Sequence, residues 1–210
     1  MPKTSIISTE NFFTLASKKI KLDEDRIKVL LEISKKITEE YTKNKVVNLN
    51  FICTHNSRRS QLGQVWTFYA ANYFNLNIHA FSGGTEVTAF YKNTVKTLQS
   101  VGFEFTVVDF SHENPKYAIT FKESENSILG FSKRFDDETN KSPFIAITTC
   151  NNADENCPFI PTALERFHLP FVDPKFSDET PEEESAYLKT NEQIAAEIFF
   201  IFNEVKKKLN

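Results

Sequence analysis

Residues 51–61, FICTHNSRRSQ, combine a cysteine that ends an apolar run with an arginine six positions later. In a loop between a strand and a helix, the amides of residues 54–59 can converge on an anion, with the N-terminus of the helix behind them. The planar guanidinium of Arg59 can bind two oxygens of that anion, which a lysine could not match. The positive field of such a loop also favours the thiolate of Cys53. The stretch therefore predicts a nucleophilic cysteine held against a tetrahedral oxyanion.

The remaining side chains of this loop have supporting roles in the same interpretation. Ser60 can hydrogen-bond the Cys53 thiolate, and Asn56 tolerates a left-handed backbone and can tie the loop to its neighbours. The alternative is a buried cysteine followed by surface arginines, because this spacing often arises by chance. A preceding strand, a following helix and the serine favour the functional interpretation. The predicted oxyanion-binding residues are Thr54, His55, Asn56, Ser57, Arg58, Arg59 and Ser60.

Two further cysteines and an aspartate could take part in the chemistry. Cys150 ends a second apolar run, PFIAITTC, and Cys157 follows it after six intervening residues. This spacing is not that of a zinc ligand pair and no second pair is evident, so we predict no metal site. Asp173 follows a short apolar segment, whereas Asp154 is expected to be solvated. Three cysteines in a chain of 210 residues favour thiol chemistry in a reducing compartment over structural disulfides.

The composition limits the classes of protein to which the chain can belong. The net charge is −3, so nothing indicates a nucleic acid or an anionic membrane as a partner. No apolar run approaches the ~20 residues that span a bilayer, and the N-terminus lacks the apolar region of a signal peptide. We expect a cytoplasmic protein without a cofactor.

The apolar periodicity predicts the elements that position these side chains. Residues 103–143 alternate apolar and polar side chains between turns, which indicates an inserted antiparallel element. A capping box at Thr180 and Glu183 predicts the start of the last helix. The predicted strands are 45–52, 77–84, 143–150 and a short one within 165–174. The other predicted helices are two within 9–43, one at 59–73 and one at 87–103.

Strands that alternate with helices predict an α/β fold, with a small parallel sheet of about four strands covered by helices on both faces. Ligands of such sheets bind beyond the carboxyl ends of the strands, where Cys53, Cys150 and Asp173 all fall. We therefore expect these three residues to share one site. The predicted division is a helical extension at residues 1–45 and a domain at residues 46–210 that contains the insertion.

Three motifs carry a resemblance to a known family. CTHNSRRSQ resembles the active-site loop of the low-molecular-weight protein tyrosine phosphatase superfamily, and its HNS-x-RSQ form is closer to the thioredoxin-coupled arsenate reductases. TTCNNADENCPFIP is similar to the redox segment of that branch, and FHLPFVDP to the segment that carries the catalytic aspartate. The resemblance runs from about Val46 to the C-terminus. Arg58 departs from it, since many arsenate reductases have a cysteine there.

The resemblance implies an arsenate reductase with a phosphatase-like fold. Cys53 would attack arsenate with Asp173 as general acid, and a disulfide would pass from Cys53 and Cys150 to Cys150 and Cys157, where thioredoxin reduces it. The main alternative is a phosphatase that hydrolyses phosphomonoesters through a phosphocysteine at Cys53. A third reading is a redox-sensing or anion-binding module, against which Asp173 argues because binding alone needs no general acid.

Overall fold

The computed structural model of the chain describes residues 8–122, 124–156 and 159–210. Cys157 lies outside these residues, so its role stays a prediction. The described helices are α1 (Thr9–Lys19), α2 (Glu24–Asn44), α3 (Arg59–Tyr73), α4 (Lys92–Ser100), α5 (Asn151–Asn156) and α6 (Glu183–Leu209), with a 3-10 turn at Pro174–Ser177. The strands are β1 (Val47–Cys53), β2 (Ile78–Gly84), β3 (Phe103–Asp109), β4 (Lys116–Phe121), β5 (Ile128–Gly130), β6 (Phe144–Thr148) and β7 (Ala163–His168). No helix in these ranges has the length and apolar content that crossing a bilayer requires.

Four strands form the parallel sheet that the sequence predicts, in the order β2-β1-β6-β7. On one side of β1, Cys53 pairs with Gly84 at the end of β2. On the other side, Ile52 pairs with Thr148 at the end of β6. The carboxyl ends of these strands therefore lie side by side, and the residues that follow them meet at one edge of the sheet. The predicted α/β fold class is confirmed.

The two faces of the sheet are covered by unequal layers. Side chains alternate along β1, so Leu49 and Phe51 join the main core while Ile52 joins a smaller apolar cluster. The main core lies between the sheet and the layer of α2, α3 and α6, and it contains the fully buried Trp66 of α3. The smaller cluster contains Cys53, Cys150 and Ala153 of α5. Cys53 and Cys150 therefore lie under the thinner of the two covers.

The two N-terminal helices pack into the main core. Asp23 caps α2 by accepting a hydrogen bond from the Arg26 amide at 2.7 Å. The Phe13 ring of α1 stacks on Trp66 with 5.4 Å between ring centroids. The fully buried residues of α2 follow the helical period and are Leu30, Ile33, Ser34 and Ile37.

Residues 103–143 contain the predicted antiparallel element, with the strand order β3-β4-β5. Phe121 of β4 packs edge-on against Tyr69 of α3, with 4.8 Å between ring centroids. After β5 the chain returns to the parallel sheet, where the Gly84 amide donates to the Lys133 carbonyl. The insertion therefore packs on the helix layer and reaches the sheet at the end of β2.

The helix predicted for residues 87–103 is shorter than expected, because α4 begins at Lys92 and ends at Ser100. Just before α4, the Tyr91 amide donates to the Ser57 carbonyl at 3.1 Å. The chain therefore follows the loop after β1 before it turns into the helix. This path satisfies backbone groups that a helix would have satisfied internally.

The last helix also begins later than predicted, since α6 starts at Glu183 and has Glu182 at its N-cap. The Thr180 hydroxyl accepts from the Glu182 amide at 3.3 Å rather than from Glu183. The Glu183 carboxylate accepts from the amide of Glu179, whose left-handed φ of 62° turns the chain at this point. The predicted capping box is therefore wrong, because the helix begins later in the chain than a cap at Thr180 requires.

Candidate active site

The loop between β1 and α3 has its carbonyl groups bound by donors around it. Carbonyl oxygens of five successive residues accept hydrogen bonds: Cys53 from Thr85, Thr54 from Glu86, His55 from Ser132, Asn56 from Gln61 and Ser57 from Tyr91. The N–H groups of residues 54–59, in contrast, donate to no acceptor within the described part of the chain. A row of free N–H groups before a helix is the arrangement that binds an anion.

Cys53 lies at the start of this loop and is buried, with 4% of its surface exposed. Its Sγ atom is 3.0 Å from the Ser60 hydroxyl oxygen. Asn56 has a left-handed φ of 46°, as the sequence suggested, and its Nδ2 donates to the same oxygen at 2.8 Å. The Ser60 oxygen accepts the hydrogen bond from Asn56, so the hydroxyl hydrogen of Ser60 can be donated to the Cys53 sulfur. This chain of hydrogen bonds places a hydroxyl donor beside the Cys53 sulfur.

Arg59 and Asp173 form an ion pair at the mouth of the loop. Arg59 Nη2 is 2.5 Å from Asp173 Oδ2, and Nη1 donates to the Phe171 carbonyl at 3.0 Å. The Nε–H of Arg59 is buried and has no partner among the described residues. The other Asp173 oxygen accepts from the Lys175 amide at 3.1 Å. The guanidinium is therefore fixed beside the loop while its buried Nε–H has no acceptor among the described residues.

Cys150 lies next to the loop, just after β6. It is buried, with 5% exposure, and its sulfur accepts a hydrogen bond from the Ala153 amide at 3.4 Å. The hydroxyl oxygen of Thr54 is 3.5 Å from Cys150 Sγ and donates to Asn152 at 3.0 Å. Both Cys53 and Cys150 are free thiols. Thr54 therefore links the oxyanion loop to the second thiol.

Asp154, which the sequence led us to expect in solvent, anchors α5 to the sheet. Its carboxylate accepts from the Thr148 hydroxyl at 2.7 Å and forms an ion pair with Arg166 of β7. Asn151 adds a contact of 3.1 Å to His168 Nε2. The short helix after Cys150 is therefore held at its start by the ends of β6 and β7.

The structure brings Cys53, Arg59, Cys150 and Asp173 to one edge of the sheet. Two of the predicted oxyanion-binding residues direct their side chains to other partners. His55 Nε2 lies 3.2 Å from a Glu86 carboxylate oxygen. The Arg58 guanidinium is bound to Asp178 and Tyr187 rather than to the interior of the loop. These two residues offer the loop only their backbone groups.

Residues from the insertion also hold the loop, and no motif within the insertion predicted this role. The Ser132 hydroxyl donates to the His55 carbonyl at 2.8 Å. The Lys133 amide donates to Asn56 Oδ1 at 3.0 Å. The glycine pair that ends β2 was a partial signal, because a Cβ at Gly83 would clash with the Phe135 Cα atom of the insertion and one at Gly84 would lie 2.7 Å from the Thr54 carbonyl oxygen. Such a close approach of two backbones requires glycine.

Comparison with known proteins relates the sequence to bacterial arsenate reductases. It is 27% identical to the enzyme of Bacillus subtilis over 146 residues, which are 70% of this chain and 86% of the relative. It is 32% identical to the enzyme of Brevibacillus brevis over 149 residues, which are 70% of this chain and 88% of the relative. The chain belongs to the arsenate reductase family. No family model matches the sequence.

Solved structures of phosphatases have the same fold as this arsenate reductase family member. A low-molecular-weight protein tyrosine phosphatase from T. tengcongensis has a TM-score of 0.50 at 15% identity, with 77% of this chain and 99% of that chain covered. An arginine phosphatase mutant with a phosphorylated active-site serine has a TM-score of 0.53 at 13% identity, with 77% and 97% covered. The chain therefore has the same fold as these phosphatases.

Proposed function

We propose that this chain reduces arsenate to arsenite through a relay of Cys53, Cys150 and Cys157 that thioredoxin regenerates. The observation that carries the proposal is the contact of 3.5 Å between the Thr54 hydroxyl and Cys150 Sγ. A second thiol therefore lies against the loop that would hold the oxyanion. Hydrolysis of a phosphoester needs no such thiol, whereas a two-electron reduction needs two. Membership of the arsenate reductase family supports the choice of substrate.

Binding of arsenate uses the free N–H groups of residues 54–59 and the fork of Arg59. The unpartnered Nε–H of Arg59 supports this role, because a buried donor without an acceptor is costly in the free protein. Arsenate would take the place of Asp173 as the acceptor of the guanidinium. Asp173 would then be released to carry a proton at the mouth of the loop.

The first chemical step joins Cys53 to arsenic. The thiolate attacks arsenic(V), and the hydroxyl group of arsenate takes a proton from Asp173 and leaves as water. A sulfur–arsenic bond forms and an arsenic–oxygen bond breaks, so the oxidation state does not change. The hydrogen bond from Ser60 supports the thiolate before attack.

The second step carries the reduction. The Cys150 thiolate attacks Cys53 Sγ, the sulfur–arsenic bond breaks, and its electron pair leaves with arsenic as arsenite. The two thiols have then lost two electrons and share a disulfide. Attack of Cys157 on the Cys150 sulfur moves that disulfide to residues 150 and 157 and restores the Cys53 thiolate, after which thioredoxin reduces it. Because a disulfide needs Cα atoms within ~7 Å, this transfer requires residues 150 and 157 to come within that distance of each other.

A phosphatase is the second candidate. Cys53, Arg59 and Asp173 would suffice to hydrolyse a phosphomonoester through a phosphocysteine, since phosphate and arsenate have the same shape and charge. The ion pair of Arg59 with Asp173 favours this candidate as much as the first, because a general acid serves both reactions. Within the site, the neighbouring thiol of Cys150 is the feature that the reductase needs and the phosphatase does not.

The two candidates are tested together with the purified protein. Arsenate, thioredoxin, thioredoxin reductase and NADPH are combined in one assay, and 4-nitrophenyl phosphate is hydrolysed in another. We expect one NADPH consumed for each arsenite formed and, in Cys157→Ser, no steady reduction but continued hydrolysis. Hydrolysis that arsenate merely inhibits, with no arsenite formed, would decide for the phosphatase.

A further inference from the structure

Arg58 is a loop residue whose side chain has no part in the reaction proposed above. Its Nε donates to the Tyr187 hydroxyl oxygen at 2.6 Å, and its Nη2 donates to Asp178 Oδ2 at 2.7 Å. The Tyr187 hydroxyl donates in turn to Asp178 Oδ1 at 2.7 Å. The guanidinium also lies over the Tyr91 ring, 4.0 Å from its centroid. Every group in this cluster is therefore bound to at least one of the others.

The cluster is a sequence neighbour of the ion pair between Arg59 and Asp173. The consecutive residues Arg58 and Arg59 bind two carboxylates of one short segment, Asp178 and Asp173 respectively. Between these carboxylates the chain makes the single 3-10 turn at Pro174–Ser177. The segment that carries Asp173 is therefore fixed to the loop at both of its ends.

One of the two attachments is lost when the substrate binds. The fork of Arg59 then binds the oxyanion, and Asp173 carries a proton, so their ion pair no longer holds the segment. The pair of Arg58 and Asp178 takes no part in the chemistry and remains. Their side chains are 10% and 18% exposed, so solvent screens their attraction little. Burial raises the pKa of the Tyr187 phenol, so its hydroxyl continues to donate.

We propose that Arg58, Asp178 and Tyr187 are positioning residues that keep Asp173 at the leaving oxygen while Arg59 binds the oxyanion. This inference rests on the proposed function, because it takes Asp173 as the general acid. A purely structural role is the alternative, in which the cluster only fixes the start of α6, where Tyr187 lies. The two roles differ in how they affect substrates that need a proton and substrates that do not.

Phenyl phosphate and 4-nitrophenyl phosphate make this distinction. Phenolate leaves poorly without a proton, whereas 4-nitrophenolate leaves without one. Displacement of the general acid therefore slows the hydrolysis of phenyl phosphate more than that of 4-nitrophenyl phosphate. The variants are Asp178→Asn and Tyr187→Phe, with Asp173→Asn as the reference for a lost acid. Glu179→Gln is the matched control, because it neutralises the neighbouring exposed acid.

We expect Asp178→Asn to lower kcat for phenyl phosphate by ~10-fold or more and kcat for 4-nitrophenyl phosphate by less than about 3-fold. Asp173→Asn should show the same selectivity with larger losses. Tyr187→Phe should also lower kcat for phenyl phosphate more than kcat for 4-nitrophenyl phosphate. Glu179→Gln should match the wild type with both substrates. Equal losses with both substrates, or no loss with either, would overturn the inference.

Hydrogen exchange of residues 175–178 tests the attachment without any turnover. The amides should exchange faster in Asp178→Asn and in Tyr187→Phe than in the wild type or Glu179→Gln, because local opening becomes easier. Unchanged exchange would overturn the inference even in an active enzyme. Failure of the proposed function would instead be seen in the wild type, as the absence of arsenate reduction, whereas the comparison of the two aryl phosphates would remain valid.

Discussion

The Thr54 hydroxyl oxygen lies 3.5 Å from Cys150 Sγ and 3.0 Å from Asn152 Oδ1. Thr54 belongs to the loop after β1, and Cys150 and Asn152 belong to the segment after β6. The two strands are neighbours in the sheet, so the contact joins the parts of the molecule that would bind the oxyanion and reduce it. In the proposed reaction this contact holds the second thiol near the site of attack.

Thr54→Val should slow arsenate reduction by ~10-fold while changing 4-nitrophenyl phosphate hydrolysis little. The valine keeps the shape and the backbone N–H but loses the hydroxyl that contacts Cys150, a loss typical of one neutral hydrogen bond. Thr54→Ser retains the hydroxyl and is the control. Parallel assays of the two reactions measure the effect, and equal losses in both would show that Thr54 acts only on the loop.

Arg59→Lys should lower kcat/KM by ~10²-fold or more for arsenate and for aryl phosphates alike, because a lysine cannot replace the planar fork. Arg134→Lys is the control, since Arg134 is half exposed and binds Asp136. Steady-state kinetics measure both variants. Near-unchanged kinetics in Arg59→Lys would contradict the assignment of the oxyanion loop.

Asp173→Asn should lower kcat by ~10²-fold, the size of a general-acid contribution, with substrates whose leaving group needs a proton. Inorganic phosphate should bind no more weakly than in the wild type, because the variant removes a negative charge that competes for Arg59. Competitive inhibition by phosphate and kcat for phenyl phosphate are the measurements. A variant that loses phosphate binding but keeps its turnover would identify Asp173 as a structural residue.

Much of this site follows from local patterns in the sequence. Apolar runs that end at Cys53 and Cys150 identify buried parallel strands, and the carboxyl ends of such strands meet at one edge of a sheet. The sequence therefore indicated that Cys53, Cys150 and Asp173 would lie together. The residues around Cys53 also indicated the loop, because Asn56 and Ser60 suit its backbone and its thiolate.

The supports of the loop could not be found in this way. The hydrogen bonds from Ser132 and Lys133 join residues that lie more than 70 positions away in the chain from His55 and Asn56. A hydrogen bond between a backbone group and a side chain so far apart in the chain leaves no periodicity in either segment. A distant contact also explains why α4 begins later than predicted. The periodic pattern starts before Tyr91, but the Tyr91 amide donates to the Ser57 carbonyl of the loop.

Lys133 is a source of pH-dependent stability. Its side chain is 2% exposed, and burial lowers its pKa from 10.5 to about 8. Between these two pH values the unfolded chain binds the proton and the folded chain does not, so stability rises with pH. The contribution is complete above pH 10.5 and is lost as the pH falls through about 8.

Lys133→Met should remove this dependence and keep the amide that donates to Asn56. Relative to the variant, the wild type should gain up to about 3 kcal/mol of unfolding free energy between pH 8 and pH 10.5. Urea unfolding of both proteins at a series of pH values measures the difference. Parallel pH profiles for the two proteins would contradict a buried lysine that is neutral above pH 8.

The fate of the thiols after one turnover tests the central claim most directly. Reduced protein is mixed with arsenate without a reductant, the free thiols are alkylated, and the peptides are identified by mass spectrometry. The proposed relay predicts one alkylated thiol, at Cys53, and a disulfide between Cys150 and Cys157. In Cys157→Ser the disulfide should join Cys53 and Cys150 instead. Three alkylated cysteines in the wild type, with the arsenate unchanged, would contradict the relay and leave the phosphatase as the function of this site.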